Sequence, residues 1–390
     1  MDPRTNPYAP GAGTQPPELA GRDEMIERAA IALDRIRAGR AARSFIFYGL
    51  RGVGKTVLLN RIRADSEARG FAAVRIEAPE GRSLPGILLP ALRSALLRLS
   101  RSEAAKSALK AAFGAMAAFA KALKVKYRDI EFGVDIEPSN GIADTGDLDN
   151  DLSELLATVG LAAQSLGTAV VIYIDELQYV PEDQLTSLIT AFHAANQDQL
   201  PVTMMAAGLP QLLGLSGRAK SYAERLFEFS PVDKLDEKAA RDALCIPAEK
   251  ENIRFEEIAI AEILKQTQGY PYFLQEWGKH SWDVADDSPI ELQDTSIATR
   301  NALAELDASF FRVRFDRLTP LEKRYVQAMA HLGPGPHRSG DIAEKMGRTV
   351  TSMAPLRNSL IAKGMIYSPA HGDTAFTVPL FDGFIHRIMG

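Results

Sequence analysis

The chain has 390 residues, a formal net charge of −5 and one cysteine, Cys245. That length predicts two or three domains, while a lone cysteine excludes an internal disulfide framework and fits a reducing cytoplasm. The mild acidity excludes affinity of the whole protein for nucleic acid; residues 316–390 carry nine Lys or Arg against six Asp or Glu, so any DNA contact is expected there.

The first seventeen residues are rich in Pro, Gly and small polar residues and predict a flexible tail. MDPRTNPYAPGAGTQPPELA has no basic stretch leading into an apolar core, so it does not read as a signal peptide. No apolar run reaches the ~18 residues of a membrane helix, and LGTAVVIYI is strand-length. From Glu18 onward Met25, Ile26, Ala29, Ile31 and Leu33 recur at helical spacing. Phe45 to Tyr48 predicts a strand, Thr56 to Ala68 a helix ended by Gly70, and Ala72 to Glu77 a second strand. An excursion of about ninety residues follows, with helices near Gly86 to Leu99, Glu103 to Leu123 and Leu148 to Leu166 and an alternating, hairpin-like KVKYRDIEFGVDIEP. A compact α/β unit needs one helix there, so an inserted subdomain at about 80–145 is predicted.

AVVIYIDELQ reads as a strand buried on both faces; VTMMAAGLP and LFEFS supply two more strands. Strands alternating with helices predict a parallel sheet covered on both sides, over residues 18–230. After Ser230 the pattern is helical: a helical segment over 231–293, a connecting helix over 294–318, and a last unit over 319–390 with three short helices, a hairpin and a final helix. The six histidines show no metal-ligand spacing, Cys245 reads as buried or inert, and Trp277 and Trp282 read as packing residues.

Gly49-Leu50-Arg51-Gly52-Val53-Gly54-Lys55-Thr56 fits G-x-x-x-x-G-K-T between a strand and a helix. Its glycines permit a turn whose backbone N–H groups converge on an anion, and the helix from Thr56 and Val57 onward adds its unpaired N–H groups. Lys55 is placed for the β- and γ-phosphates and the Thr56 hydroxyl for Mg²⁺. Arg51, at a variable position, reads as a surface residue. Asp175 and Glu176 close the buried strand at its C-terminal end, where such sheets bind ligands. Asp175 is the candidate Mg²⁺ partner and Glu176 the candidate base that polarises the attacking water. Gln178 is a further candidate for orienting water.

A phosphate loop, an hhhhDE strand, a helical region and a C-terminal helix-turn-helix unit resemble the AAA+/STAND branch of P-loop ATPases. The nearest look is to origin-recognition-type ATPases and their bacterial relatives. The segment Pro17 to Asp23 is similar to the one that lies near the adenine in that family. The resemblance implies ATP or ADP with Mg²⁺ as ligands. It implies a P-loop (ASCE) parallel sheet of order 5-1-4-3-2, an all-helical lid over the nucleotide and a C-terminal winged-helix domain. Gly269-Tyr270-Pro271-Tyr272 is similar to the G-x-P of STAND proteins, which puts Pro271 at the nucleotide. Arg225 resembles an arginine finger acting on a neighbouring subunit, which implies a nucleotide-dependent homo-oligomer. Residues 204–210 lack the family's polar sensor, so hydrolysis is expected to be slow.

Within the last unit, residues 349–363 would be the recognition helix, with Thr351, Ser352, Pro355 and Asn358 facing outward. Arg338, Arg348, Arg357 and Lys363 are candidate phosphate contacts, and double-stranded DNA is the expected partner of residues 338–378. The alternative is a signalling or defence ATPase whose winged helix and insertion dock proteins.

Overall fold

The structure is a computed structural model that describes residues 1–11, 13–78, 81–100, 102–124, 138–214 and 223–390. The first unit runs α1 (Asp23–Arg37), β1 (Ser44–Tyr48), α2 (Lys55–Ala68), β2 (Ala72–Glu77), α3 (Leu84–Leu99), α4 (Glu103–Ala122), α5 (Leu148–Ser165), β3 (Val170–Asp175), α6 (Glu182–Gln197), β4 (Val202–Gly208), α7 (Ala223–Leu226) and β5 (Phe227–Pro231). The five strands form one sheet of order β2-β3-β4-β1-β5, parallel throughout, as the resemblance implied.

Alternation along each strand decides which layer covers it. Val171 and Tyr173 of β3 join Phe45, Phe47, Met205 and Ala207 under α1 and α2. Ile172 and Ile174 face the other way, with Val74, Ile76, Met204 and Ala206, under α3 to α6. A strand buried on both faces needs that uninterrupted apolar run. The register sets Glu77 of β2 beside Asp175 of β3, so carboxylates gather at the C-terminal edge of the sheet.

The 80–145 region departs from the expected separate subdomain. Leu88 and Leu92 of α3 and Leu109, Met116 and Phe119 of α4 are buried in the same apolar cluster as the sheet. With this much apolar area on offer, the extra helices thicken one layer rather than enclose a core of their own. The hairpin reading falls on residues 125–137, outside the described residues.

The second half runs α8 (Glu237–Lys250), α9 (Glu257–Thr267), α10 (Pro271–Val284), α11 (Leu292–Leu306), a π-helical turn (Asp307–Phe311), α12 (Arg312–Asp316) and α13 (Pro320–His331). It ends with β6 (His337–Arg338), α14 (Ser339–Lys345), α15 (Val350–Ala362), β7 (Ile366–Tyr367), β8 (Asp373–Phe376) and α16 (Phe381–Met389). The connecting helix is thus interrupted by a π turn, which carries Phe310 and Phe311. Phe311 stacks on Phe384 at 5.3 Å between ring centroids, while Phe310 stacks on Tyr272 at 4.8 Å. These rings join α10 to α16 through one apolar cluster spanning residues 235–385. Strands β6, β8 and β7 form a three-stranded antiparallel sheet beside α13 to α15; β6, two residues long, was not expected. Thr319 and Glu322 form a capping box at the start of α13.

The N-terminal segment is a correction: it is not a free tail but is laid along the helical half. Tyr8 is buried and its phenol donates to the Leu244 carbonyl. The indole of Trp282 donates to the Asp2 carbonyl at 3.0 Å. Gly278 makes room for it, since a Cβ there would sit 2.6 Å from the Tyr8 ring. Pro and Gly composition forbids regular structure, but one aromatic anchor is enough to hold the backbone in place.

Candidate active site

The loop between β1 and α2 is shaped by three glycines. A Cβ at Gly49 would lie 2.0 Å from the Val232 carbonyl oxygen, so the chain passes there only without a side chain. Gly52 and Gly54 have φ of 80° and 89°, the left-handed region that turns successive N–H groups toward one side. Nothing lies within 4 Å of a Cβ built on Gly54, which leaves open space at the helix N-terminus.

Lys55 opens α2 and is almost wholly buried. Its ammonium donates to the carbonyls of Gly49 at 3.0 Å and Leu50 at 2.7 Å, so both residues hold the lysine from behind the loop. Burial pulls the Lys55 pKa down to about 8, while the Glu176 carboxylate pulls the other way. Asp175 is mostly buried, which raises its pKa, and the Thr56 hydroxyl hydrogen-bonds it and lowers it. A hydroxyl and a carboxylate already paired beside an open helix N-terminus are the oxygen donors that Mg²⁺ selects, so the residues fit the ion.

Glu176 has φ of 54°, a left-handed backbone that sets it apart from the strand before it. Its carboxylate accepts from the Gln178 amide N–H, and the Gln178 amide oxygen accepts from the Leu209 N–H at 3.0 Å. Gln178 is therefore bound at both ends, and it links Glu176 to the end of β4, where no polar sensor stands. A Cβ at Gly208 would lie 2.4 Å from that amide oxygen.

These groups line a cavity of about 420 Å³. Arg51 to Val57, Asp175, Glu176 and Pro271 all line it, whereas Arg225 is exposed on α7 and does not. The other walls were not foreseen. Ala9, Pro10, Gly11, Gly13 and Thr14 of the N-terminal segment line the cavity, and a Cβ at Gly13 would sit 3.0 Å from the Thr56 methyl. The lid meets the loop where Tyr272 N–H donates to the Gly52 carbonyl at 3.1 Å. Arg22 is buried, its guanidinium donating to the carbonyls of Val53 at 3.2 Å and Asp233 at 2.5 Å. Arg314 of α12 also lines the cavity; burial, with Arg51 close by, pulls its pKa down to about 10. The Arg314 guanidinium donates to the Phe310 carbonyl and lies over the Phe310 ring at 4.1 Å, and among the described residues no ion pair ties it to a carboxylate.

Arg51 is not the surface residue predicted. Its side chain is 20 % exposed and donates to the Tyr179 hydroxyl at 3.0 Å, with Glu176 4.0 Å away. Its backbone N–H donates to the Thr377 carbonyl at 2.9 Å, so one loop amide is already engaged by the C-terminal unit. Gly364 packs against the same place: a Cβ there would lie 2.9 Å from the Arg51 guanidinium and 3.3 Å from the Tyr179 hydroxyl. No spacing signal in the sequence could have found contacts more than three hundred residues apart.

Two of the four candidate DNA contacts are committed inside the fold. The Arg357 guanidinium donates to the Thr374 hydroxyl at 3.0 Å and the Asp373 carbonyl at 2.9 Å, tying α15 to β8. Lys363 pairs with Glu322 at 2.7 Å, a carboxylate buried under α15. Arg338 and Arg348 are exposed.

Comparisons with known proteins follow the same division of the chain. Residues 18–205 match the AAA ATPase domain family, and residues 308–385 match a domain of unknown function, DUF8462. A Walker-type ATPase of Pyrococcus abyssi superposes with a TM-score of 0.62 at 16 % identity, covering 96 % of this chain and 97 % of that one. The Orc1 protein of Aeropyrum pernix, solved in complex with DNA, gives 0.46 at 15 % identity over 96 % and 94 % of the chains. The RuvB Holliday junction branch migration motor of Thermotoga maritima gives 0.46 at 14 % identity over 93 % and 96 %. No curated protein matches the sequence. Among the described residues no helix is long and apolar enough to cross a membrane.

Proposed function

We propose that this chain, whose residues 18–205 match the AAA ATPase domain family, is an ATP-driven switch whose C-terminal unit reads the state of the phosphate loop. The observation that carries the reading is the pair of backbone contacts on the loop itself. Gly52 accepts from the lid at Tyr272, and Arg51 donates to Thr377 of the C-terminal unit. A loop that reorganises around phosphates must keep or break those contacts, so nucleotide state and position of the unit are coupled.

In this reading the loop amides and Lys55 bind the β- and γ-phosphates, with the lysine exchanging its two carbonyl partners for phosphate oxygens. Thr56 and Asp175 would hold Mg²⁺, which supplies charge neutralisation between the phosphates. Glu176 takes the proton of the attacking water and, until ATP is in place, is held by Gln178. Arg314 supplies positive charge on the γ-phosphate side that the end of β4 lacks. Electrostatic stabilisation carried by few groups supports slow turnover. Arg225, exposed and off the chain's own cavity, would serve as a finger only in an assembly of several copies.

The C-terminal unit is a winged helix in this reading, and its first role is to dock on the loop. A second reading, engagement of double-stranded DNA through residues 338–378, is favoured by exposed Arg338 and Arg348 beside the open N-terminal face of α15. The test is the distance between spin labels on cysteines placed at exposed Ala68 of α2 and Ala354 of α15, in a Cys245→Ser background, with ADP or a non-hydrolysable ATP analogue. Distances that differ between nucleotides support the switch, and equal distances overturn it. Anisotropy with duplex DNA decides the second reading: binding that weakens steeply with salt and is lost in Arg348→Ala supports it.

A further inference from the structure

The lid holds a cluster that the nucleotide chemistry does not use. Glu276 and His280 lie one turn apart on α10, and Glu305 reaches them from α11. One ligand atom from each lies within 4.8 Å of the others. His280 Nε2 is 4.0 Å from Glu276 Oε2 and 3.1 Å from Glu305 Oε2.

Burial makes the arrangement informative. Glu276 is 4 % exposed and His280 8 %, yet Glu276 Oε2 and His280 Nε2 have no hydrogen-bond partner. Glu305 Oε2 stands at ion-pair distance from His280 Nε2, the Tyr272 phenol lies against the Glu276 carboxyl, and Glu276 Oε2 faces the imidazole without a partner. Buried polar atoms that face each other without a partner are destabilising unless something binds between them, and a shared cation would satisfy both.

We propose that Glu276, His280 and Glu305 form a site for a divalent transition ion of the Zn²⁺ class, clasping α10 to α11. An imidazole with two carboxylates is a donor set that Zn²⁺ accepts and that the harder Mg²⁺ and Ca²⁺ do not prefer. Ligand atoms about 2.0–2.1 Å from a tetrahedral Zn²⁺ lie about 3.3 Å apart, so the 4.0 Å contact of His280 with Glu276 has to close by less than an ångström while the 3.1 Å contact with Glu305 opens slightly. The side chain of Glu305 is 51 % exposed, so it is free to adjust, and the same exposure is the entry path. Among the described residues Lys279, 3.5 Å from Glu305 and 3.9 Å from Asp283, is the one cation paired with a member of the cluster, and it can fall back on Asp283. Three protein ligands leave a fourth position for water.

The test is titration of the full chain with Zn²⁺ alone, by calorimetry, with Mg²⁺ as the control ion. One Zn²⁺ per chain is expected, with no matching heat from Mg²⁺. Glu305→Gln, at an exposed position, should keep the fold and weaken Zn²⁺ binding by at least about tenfold, since even outer-shell changes cost that much. Substituted Co²⁺ should give visible absorption bands in the parent protein that are lost in Glu305→Gln and in His280→Ala. Absence of stoichiometric Zn²⁺ binding, or an affinity unchanged in Glu305→Gln, overturns the proposal and leaves the cluster as an ion pair inside the lid.

Discussion

The phosphate loop and the C-terminal unit that touches it are specified in opposite ways. The loop draws its chemistry from eight consecutive residues, and each role follows from a side chain or a missing one. The C-terminal unit reaches the loop through a backbone carbonyl at Thr377, which any residue could supply, and a missing Cβ at Gly364, which no local motif announces. In the proposed switch, local residues set what reaction is possible and distant backbone sets when the loop is free to perform it. Substitutions in the loop should act on binding and hydrolysis outright, and substitutions at the contact should act on how those two depend on nucleotide state.

The largest effect is expected from Lys55→Ala. It removes the one buried ammonium in the cavity, and the loss of a charge-assisted contact to phosphate should weaken ATP binding by about a hundredfold or more. Calorimetry measures it; an unchanged affinity would remove the loop from nucleotide binding altogether. Next is Glu176→Gln, which keeps shape and the Gln178 contact but cannot accept a proton. Turnover should fall about a hundredfold while ATP affinity stays within a few-fold, as phosphate release and equilibrium binding together will tell. Arg314→Ala should then lower turnover by about tenfold with a smaller change in affinity for ADP, which has no γ-phosphate. If ADP and ATP respond alike, Arg314 is part of the wall and not of the reaction.

pH offers a milder probe of the same lysine. In the nucleotide-free protein Lys55 has a pKa of about 8, lowered chiefly by burial. Phosphate beside it favours the charged form and raises that value, so binding takes up a proton above pH 8. ATP affinity should be flat below pH 8 and fall above it, by at most about tenfold per pH unit. The slope should vanish in Lys55→Arg, whose guanidinium stays charged throughout this range.

How much of this was legible in the sequence follows the same contrast. The sheet was legible, because VVIYID and FIFY can only be strands covered on both sides. Asp175, Glu176 and Lys55 were legible because spacing along one loop and one strand end carries their chemistry. Arg314 was not, since it reaches the cavity from a helix that reads only as a connector. Nor was His280, whose partners are Glu276 and Glu305 rather than other histidines, so a search by histidine spacing passes over it. Tyr8 was hidden by its Pro- and Gly-rich neighbours, which describe the backbone and say nothing of what an aromatic ring can anchor. The insertion was misjudged because length alone cannot tell a thicker layer from a second core.

The smallest expected effect is the most discriminating between loop and contact. Tyr179→Phe removes only the hydroxyl that accepts from Arg51, at a residue packed against the loop and close to Gly364. A half-exposed hydrogen bond of this kind is worth about 1 kcal/mol, or roughly fivefold in an equilibrium. Because Arg51 also faces Glu176 at 4.0 Å, losing the tyrosine oxygen leaves the guanidinium free to turn toward the carboxylate or toward phosphate. If the contact restrains the loop, ATP affinity in this variant should rise a few-fold while ADP affinity changes less. The ratio of the two, measured by calorimetry on one preparation, is insensitive to any loss of folded protein. A ratio equal to that of the parent chain would mean that the Arg51–Tyr179 hydrogen bond does not restrain the loop.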